Sequence, residues 1–212
     1  MGEQGRALTG RKRRPLRREL GTRRDACLLV IATEGEKTEP QYFAGCFAKS
    51  SRVQIHVLPS EEGKSSPRHV AQRLRQFRRD FDLGKNDQLW LVIDTDRVPE
   101  KQLAEVASEA MKTGARLAVS RPGFELWLLM HLTDVGPEVE GKTSDGLKKH
   151  LKSLLGSYNP SNLDAPRFRP GVRTASARAK AMDLNPAERW PNSTGTRVYL
   201  LVDEILKLTS VA

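Results

Sequence analysis

The run Cys27 to Ala32, Cys-Leu-Leu-Val-Ile-Ala, constrains the fold of this chain more than any other stretch. Six successive apolar residues, rich in strand formers, leave no polar face for water. The segment therefore reads as a strand buried on both sides, as in the parallel sheet of an α/β protein. It stops abruptly at Thr33-Glu34-Gly35-Glu36. A carboxylate, Glu34, thus stands at the carboxyl end of a central strand, where open α/β sheets bind their ligands. Gly35 permits a tight turn, and Thr38-Glu39-Pro40 supplies a helix start with Pro in its first turn. Taken alone, Glu34 reads equally well as a surface carboxylate in an ordinary strand-to-helix loop.

A second such run changes that balance. Gln88 to Ile93 is again strongly apolar and ends in Asp94-Thr95-Asp96. Around these two runs the chain alternates. A helix is predicted over Glu39–Lys49, with Tyr42, Phe43, Cys46 and Phe47 on one face, then a half-exposed strand over Arg52–Leu58. Val70, Leu74, Phe77 and Phe81 mark a helix over His69–Phe81, whose arginines read as a solvated face. A helix from Pro99 to Thr113 is stopped by Gly114, and Ala115–Ser120 is a further short strand. Phe124 to His131 then enters a very apolar helix. This order predicts a parallel sheet with helices on both faces, a Rossmann-like α/β fold. Beyond Leu132 the texture turns helical. Helices are expected over Ser144–Leu155 and Val172–Leu184, with an irregular loop over Gly156–Gly171 between them. A last helix is expected to start at Asn192-Ser193-Thr194 and to run to about Leu208. The expected division is a basic arm over 1–24, an α/β core over 25–132 and a helical C-terminal extension over 133–212 packed on that core.

The net charge of +10 is unevenly placed. Residues 1–24 hold nine Lys/Arg against two acidic residues, whereas the rest holds 27 against 24. The arm carries Arg11, Lys12, Arg13, Arg14, Arg17, Arg18, Arg23 and Arg24. Such a segment either neutralises nucleic-acid phosphates or is a solvated leader without fixed structure, because it lacks the apolar residues that offset ordering entropy. Cys27 and Cys46 have neither zinc-site nor disulfide-framework spacing. No apolar run approaches the roughly 20 residues that span a bilayer, and none is followed by a cleavage site, so a cytoplasmic protein without membrane contact is expected.

Glu34, Asp94 and Asp96 all stand where a strand hands over to a helix or loop. Neighbouring strands would gather three carboxylates within a few ångströms, an arrangement that repels itself unless a cation sits among them or their pKa values rise. Hard oxygen ligands without nearby Cys or His suit Mg²⁺, or Mn²⁺ in its place. Alternate residues of an extended segment point the same way, so both acids of Asp-x-Asp can face one metal. Mg²⁺ commonly also binds substrate phosphates, and acids beside a basic surface therefore suggest phosphodiester chemistry.

The order Thr-Glu-Gly-Glu-Lys-Thr-Glu-Pro-x-Tyr-Phe, Asp-Thr-Asp, Ser-Arg-Pro-Gly-Phe-Glu-Leu-Trp-Leu-Leu-Met-His and a late Asn-Ser-Thr resembles the RloB-like family over about residues 26–208. That family is grouped with the Toprim-like folds, which cut phosphodiester bonds with bound metal, and its members often stand beside restriction–modification and other phage-defence genes. The resemblance implies a Toprim-like sheet and a Mg²⁺-dependent nuclease acting on DNA or RNA in antiviral defence. A second defence-system protein or a second copy of the chain could join it. Glu34 matches the glutamate expected to act as general acid/base or ligand, and Asp94 and Asp96 match the Asp-x-Asp ligands. Glu125 lies in a family block and is a further catalytic candidate; its plainer reading is a carboxylate answering a helix dipole. Arg121 departs from the pattern, where relatives more often carry Asn.

Three further features are weighed. Lys37 either faces a phosphate from the start of the first helix or is solvated. His131 is read as a packed histidine rather than a catalyst. Gly136 to Thr143 fits the phosphate-loop pattern Gly-x4-Gly-Lys-Thr, but no buried strand precedes it, and Glu138 and Glu140 would repel phosphates. The alternative to a nuclease is a non-catalytic nucleic-acid-binding or effector-interaction subunit whose acids hold a structural cation or nothing.

Overall fold

A computed structural model describes residues 13–15, 26–60, 63, 65–96 and 98–210. Its centre is a five-stranded sheet of β1 (Cys27–Thr33), β2 (Val53–Val57), β3 (Gln88–Asp94), β4 (Ala115–Arg121) and β5 (Gly195–Thr196). The order across the sheet is β2-β1-β3-β4-β5, parallel except for β5, which runs antiparallel to β4. The two most apolar runs are therefore adjacent central strands, and every residue of β1 is buried.

Side chains alternate across this sheet and feed two cores. Cys27, Leu29 and Ile31 of β1 join Trp90, Val92 and Ala118 on one face. Leu28, Val30 and Ala32 join Leu89, Leu91 and Ile93 on the other. The second face is covered by α2 (Pro67–Asp80) and α3 (Glu100–Thr113) through Val70, Leu74, Leu103 and Val106. Gly114 closes α3 in the left-handed conformation, at φ 66°, as its position after the apolar stripe predicts. The first face is covered by α1 (Thr38–Gly45), α4 (Glu125–Leu129), α5 (Ser144–Leu155), α6 (Val172–Met182) and α7 (Val198–Ser210). The expected α/β fold with helices on both faces is thus present. The C-terminal segment is more than an extension, since it completes one of the two cores and supplies a strand.

Three local expectations are corrected. The first helix ends not at Lys49 but at Gly45, where Arg169 takes up the carbonyls of Gly45 and Cys46 at 2.9 and 3.0 Å. The Gly156–Gly171 loop contains a 3-10 helix over Ala165–Gly171. The last helix begins at Val198, because Gly195–Thr196 is drawn into the sheet first and Arg197 N–H donates to the Val119 carbonyl at 2.8 Å. A pairing available only in the tertiary structure overrides the local cap signal. Buried Arg197 then holds Asp183 through two hydrogen bonds, Nε to Oδ2 at 2.8 Å and Nη2 to Oδ1 at 2.9 Å.

Of the predicted arm, exposed Arg13 and Arg14 are described, and Arg14–Pro15 pairs in parallel with Phe81–Asp82. That part of the arm is therefore tied to the body. Arg11, Lys12, Arg17, Arg18, Arg23 and Arg24 lie outside the described residues. Among the described residues no helix is long and apolar enough to cross a membrane.

Candidate active site: an acid cluster at the carboxyl end of the sheet

The register of β1 and β3 sets the site. Thr33 pairs with Val92, so both strands release their chains at the same level, and Glu34 N–H donates to the Val92 carbonyl at 3.1 Å. The Glu34 side chain turns across the gap and accepts a hydrogen bond from Asp94 N–H at 3.1 Å. The Asp-Thr-Asp loop is fixed from the other side by β4. Thr95 N–H donates to the carbonyls of Ser120 and Pro122, and Asp96 N–H donates to Pro122 at 2.9 Å. Arg121, the departure from the family pattern, donates from Nε to the Pro191 carbonyl at 2.9 Å and so ties β4 to the C-terminal segment.

Around these acids stand two more. Glu39, in the first turn of α1, is buried, and its Oε1 accepts from Gly35 N–H at 2.9 Å. A Cβ on Gly35 would collide with that carboxyl group, so a larger residue here would displace it. Glu125 opens α4 and is also buried. A Cβ on Gly123 would stand 3.1 Å from Asp94 Oδ2 and 3.2 Å from Glu125 Oε2, which brings these two carboxylates to one point. Asp96 turns instead to the start of α5 and accepts from Ser144 N–H at 3.3 Å.

The electrostatics follow from this crowding. Burial raises the Glu34 carboxyl to about 7, with Glu39 and Asp96 adding repulsion and the Asp94 N–H opposing it. Burial raises Asp94 well above the usual carboxylate range, and Glu39, Glu125 and Glu34 push it further. Glu39 and Glu125 are raised as well, again first by burial, and Lys148 opposes the shift in both. Four carboxyl groups in one cluster thus hold protons more tightly than free acids do.

The structure brings together Glu34, Asp94 and Glu125, turns Asp96 to their edge at the start of α5, and adds Glu39, which sequence reasoning reads only as part of a helix start. A signal for it exists, since it stands five residues after Glu34 in the same motif. Lys37 is exposed at the start of α1. His131 is buried against Tyr42, Trp127 and Phe168. Its Nδ1 lies 2.9 Å from the Trp127 carbonyl, which can only accept, so Nδ1 carries the proton and Nε2 accepts from the Tyr42 hydroxyl at 3.0 Å. The phosphate-loop pattern holds no loop of that kind. It follows α4, contains a short 3-10 turn over Pro137–Val139, and ends in the start of α5.

Among the described residues no three His, Cys, Asp or Glu side chains are gathered closely enough to hold a metal ion by themselves. The expected triad is not preassembled, because Glu34 and Asp96 satisfy their oxygens on backbone N–H groups rather than facing Asp94. The donor set nevertheless fits a hard divalent cation. Asp94 Oδ1 is buried with no hydrogen-bond partner among the described residues, a state that costs free energy unless something pairs with it. Mg²⁺ uses one or two carboxylates and completes its shell with waters and substrate phosphates.

No curated protein and no solved structure matches this chain. A family model described as RloB-like protein matches residues 29–205, from the first central strand into the last helix. On that match, which spans most of its length, the chain belongs to the RloB-like protein family.

Proposed function

We propose that this protein is a Mg²⁺-dependent nuclease of the Toprim-like kind, cutting DNA or RNA in antiviral defence. One observation carries the reading: acids just after β1, at the end of β3 and at the start of α4 meet at the carboxyl end of the sheet, with a buried Asp94 oxygen left unpartnered among the described residues. Asp94 and Asp96 would hold the cation, with Glu34 beside them. A divalent ion there would supply Lewis-acid polarisation of a phosphoryl oxygen. Glu34, whose carboxyl is raised by burial, would accept a proton from an attacking water. Glu125, paired loosely with Lys148 Nζ at 4.0 Å, would orient that water or hold a second proton.

The test is incubation of single- and double-stranded DNA and RNA with Mg²⁺ or Mn²⁺, comparing wild type with Asp94→Asn. Metal-dependent cleavage by wild type alone supports the nuclease. Equal cleavage by both proteins overturns the assignment of the chemistry to Asp94, and none by wild type leaves the reading of a non-catalytic nucleic-acid-binding subunit, which the lack of a preassembled three-carboxylate group among the described residues favours.

A further inference from the structure

The segment Gly141-Lys142-Thr143-Ser144 does not form a phosphate loop, yet the helix it starts is aimed at the acid cluster. Thr143 caps α5, its hydroxyl accepting from Gly146 N–H at 3.3 Å. Ser144 N–H is directed at Asp96. The Ser144 side chain is the unusual feature. The residue is 9% exposed, and its hydroxyl has no hydrogen-bond partner among the described residues. That hydroxyl lies 2.5 Å from the position a Gly123 Cβ would occupy, the same point that Asp94 Oδ2 and Glu125 Oε2 approach. A buried hydroxyl without a partner in a polar cluster is a donor in waiting.

One turn further on, Lys148 shares the Ser144 face of α5, because residues four apart lie above one another on a helix. Its ammonium stands 4.0 Å from Glu125 Oε1 and 3.3 Å from Asp145 Oδ1. It also lowers the carboxyl pKa of Glu39, so its field reaches the centre of the cluster. A site lined by carboxylates alone would repel a phosphate. The positive end of α5, the Ser144 hydroxyl and Lys148 supply the opposite sign on one edge.

We propose that Ser144 and Lys148 form the phosphate-binding edge of this site. They would donate to the non-bridging oxygens of a nucleic-acid phosphodiester held opposite Asp94, Asp96 and Glu125. The chemical class of the ligand rests on the nuclease reading; the presence of a phosphate site is tested without it. The probe is inorganic pyrophosphate in excess Mg²⁺, titrated calorimetrically into the full chain. Wild type should bind it. Ser144→Ala and Lys148→Met should each weaken binding about tenfold or more, and Lys148→Arg should retain most of it. Ser144→Ala removes a hydroxyl that has no partner among the described residues, so its thermal midpoint should not fall, which separates a binding role from a structural one. Absence of pyrophosphate binding by wild type overturns the proposal, as does wild-type affinity in Ser144→Ala or Lys148→Met. Pyrophosphate binding that obeys these expectations in a protein that cuts no nucleic acid would refute the nuclease reading and leave the phosphate edge standing.

Discussion

The Glu34 carboxylate accepts a hydrogen bond from the backbone N–H of Asp94 at 3.1 Å, linking the carboxyl ends of the two central strands through one side chain. The bond exists because β1 and β3 are adjacent and in register, Thr33 opposite Val92. It holds Glu34 among other acids, and burial then raises its pKa. Such an arrangement disfavours the ionised form of the cluster.

That cost predicts the effect of Asp94→Asn. Asparagine keeps the shape and removes a buried group repelled by Glu39, Glu125 and Glu34. In chelator at pH 7 the variant should be more stable than wild type by about 1–2 kcal/mol, while losing metal-dependent cleavage. Added Mg²⁺ should raise the wild-type melting temperature and leave the variant's nearly unmoved. A lower melting temperature for Asp94→Asn in chelator would count against a strained acid cluster.

Gly123 offers a sharper probe, because its backbone is not in the left-handed region and alanine carries no conformational penalty there. The added methyl would stand 2.5 Å from Ser144 Oγ and crowd Asp94 and Glu125. Overpacking of this size costs about 1–3 kcal/mol when neighbours cannot move. Gly123→Ala should therefore fold with a modest loss of stability but lose most of its metal-dependent cleavage. Full activity in Gly123→Ala would place the reacting groups elsewhere.

His131 predicts a pH effect of defined sign. Burial lowers its pKa from 6.5 to about 4, and only its neutral form both donates to Trp127 and accepts from Tyr42. Between these values the unfolded chain binds a proton that the folded chain refuses, so stability falls as pH drops from about 6.5 towards 4 and is unaffected above that window. The contribution is at most about 3 kcal/mol. His131→Gln should flatten this acid limb in denaturant titrations at pH 5 relative to pH 7.5. An unchanged difference between the two pH values would mean that His131 is already charged in the fold.

The central strands and the acids on them are legible in the sequence because long apolar runs and their abrupt polar ends are local signals. Glu34, Asp94 and Asp96 announce themselves by ending such runs. Glu125 is legible only through its place in a family block, and Glu39 is hidden inside a helix start. Ser144 and Lys148 have no signal of their own, since they reach the acids only because α5 packs across the face that α4 and α7 complete. The start of the last helix escapes the sequence for a similar reason. The pairing of Gly195–Thr196 with Ser120–Arg121 joins segments more than 70 residues apart and leaves no mark in the local pattern. Arg14–Pro15 against Phe81–Asp82 is likewise a long-range pairing inside a segment whose composition speaks only of charge.

The basic arm and the acids should fail differently when altered. Arg17, Arg18, Arg23 and Arg24 carry four of the nine cationic side chains of residues 1–24, whereas the rest of the chain is only mildly basic. If these four neutralise nucleic-acid phosphates, replacing them with Gln removes counterion release. The slope of log K against log salt for duplex DNA should then shrink by about 0.9 for each phosphate that is no longer neutralised. Saturating substrate should restore most of the turnover, because binding lost equally from ground and transition states raises KM without lowering kcat. Asp94→Asn should do the reverse. It should leave the salt slope intact and bind as tightly as wild type, or more tightly in chelator, where a negative charge near phosphate has been removed, yet turn over nothing. A quadruple Gln variant with an unchanged salt slope would show that these arginines are solvated. The affinity would then have to come from the body of the protein, with Lys148 and the start of α5 the first residues to examine.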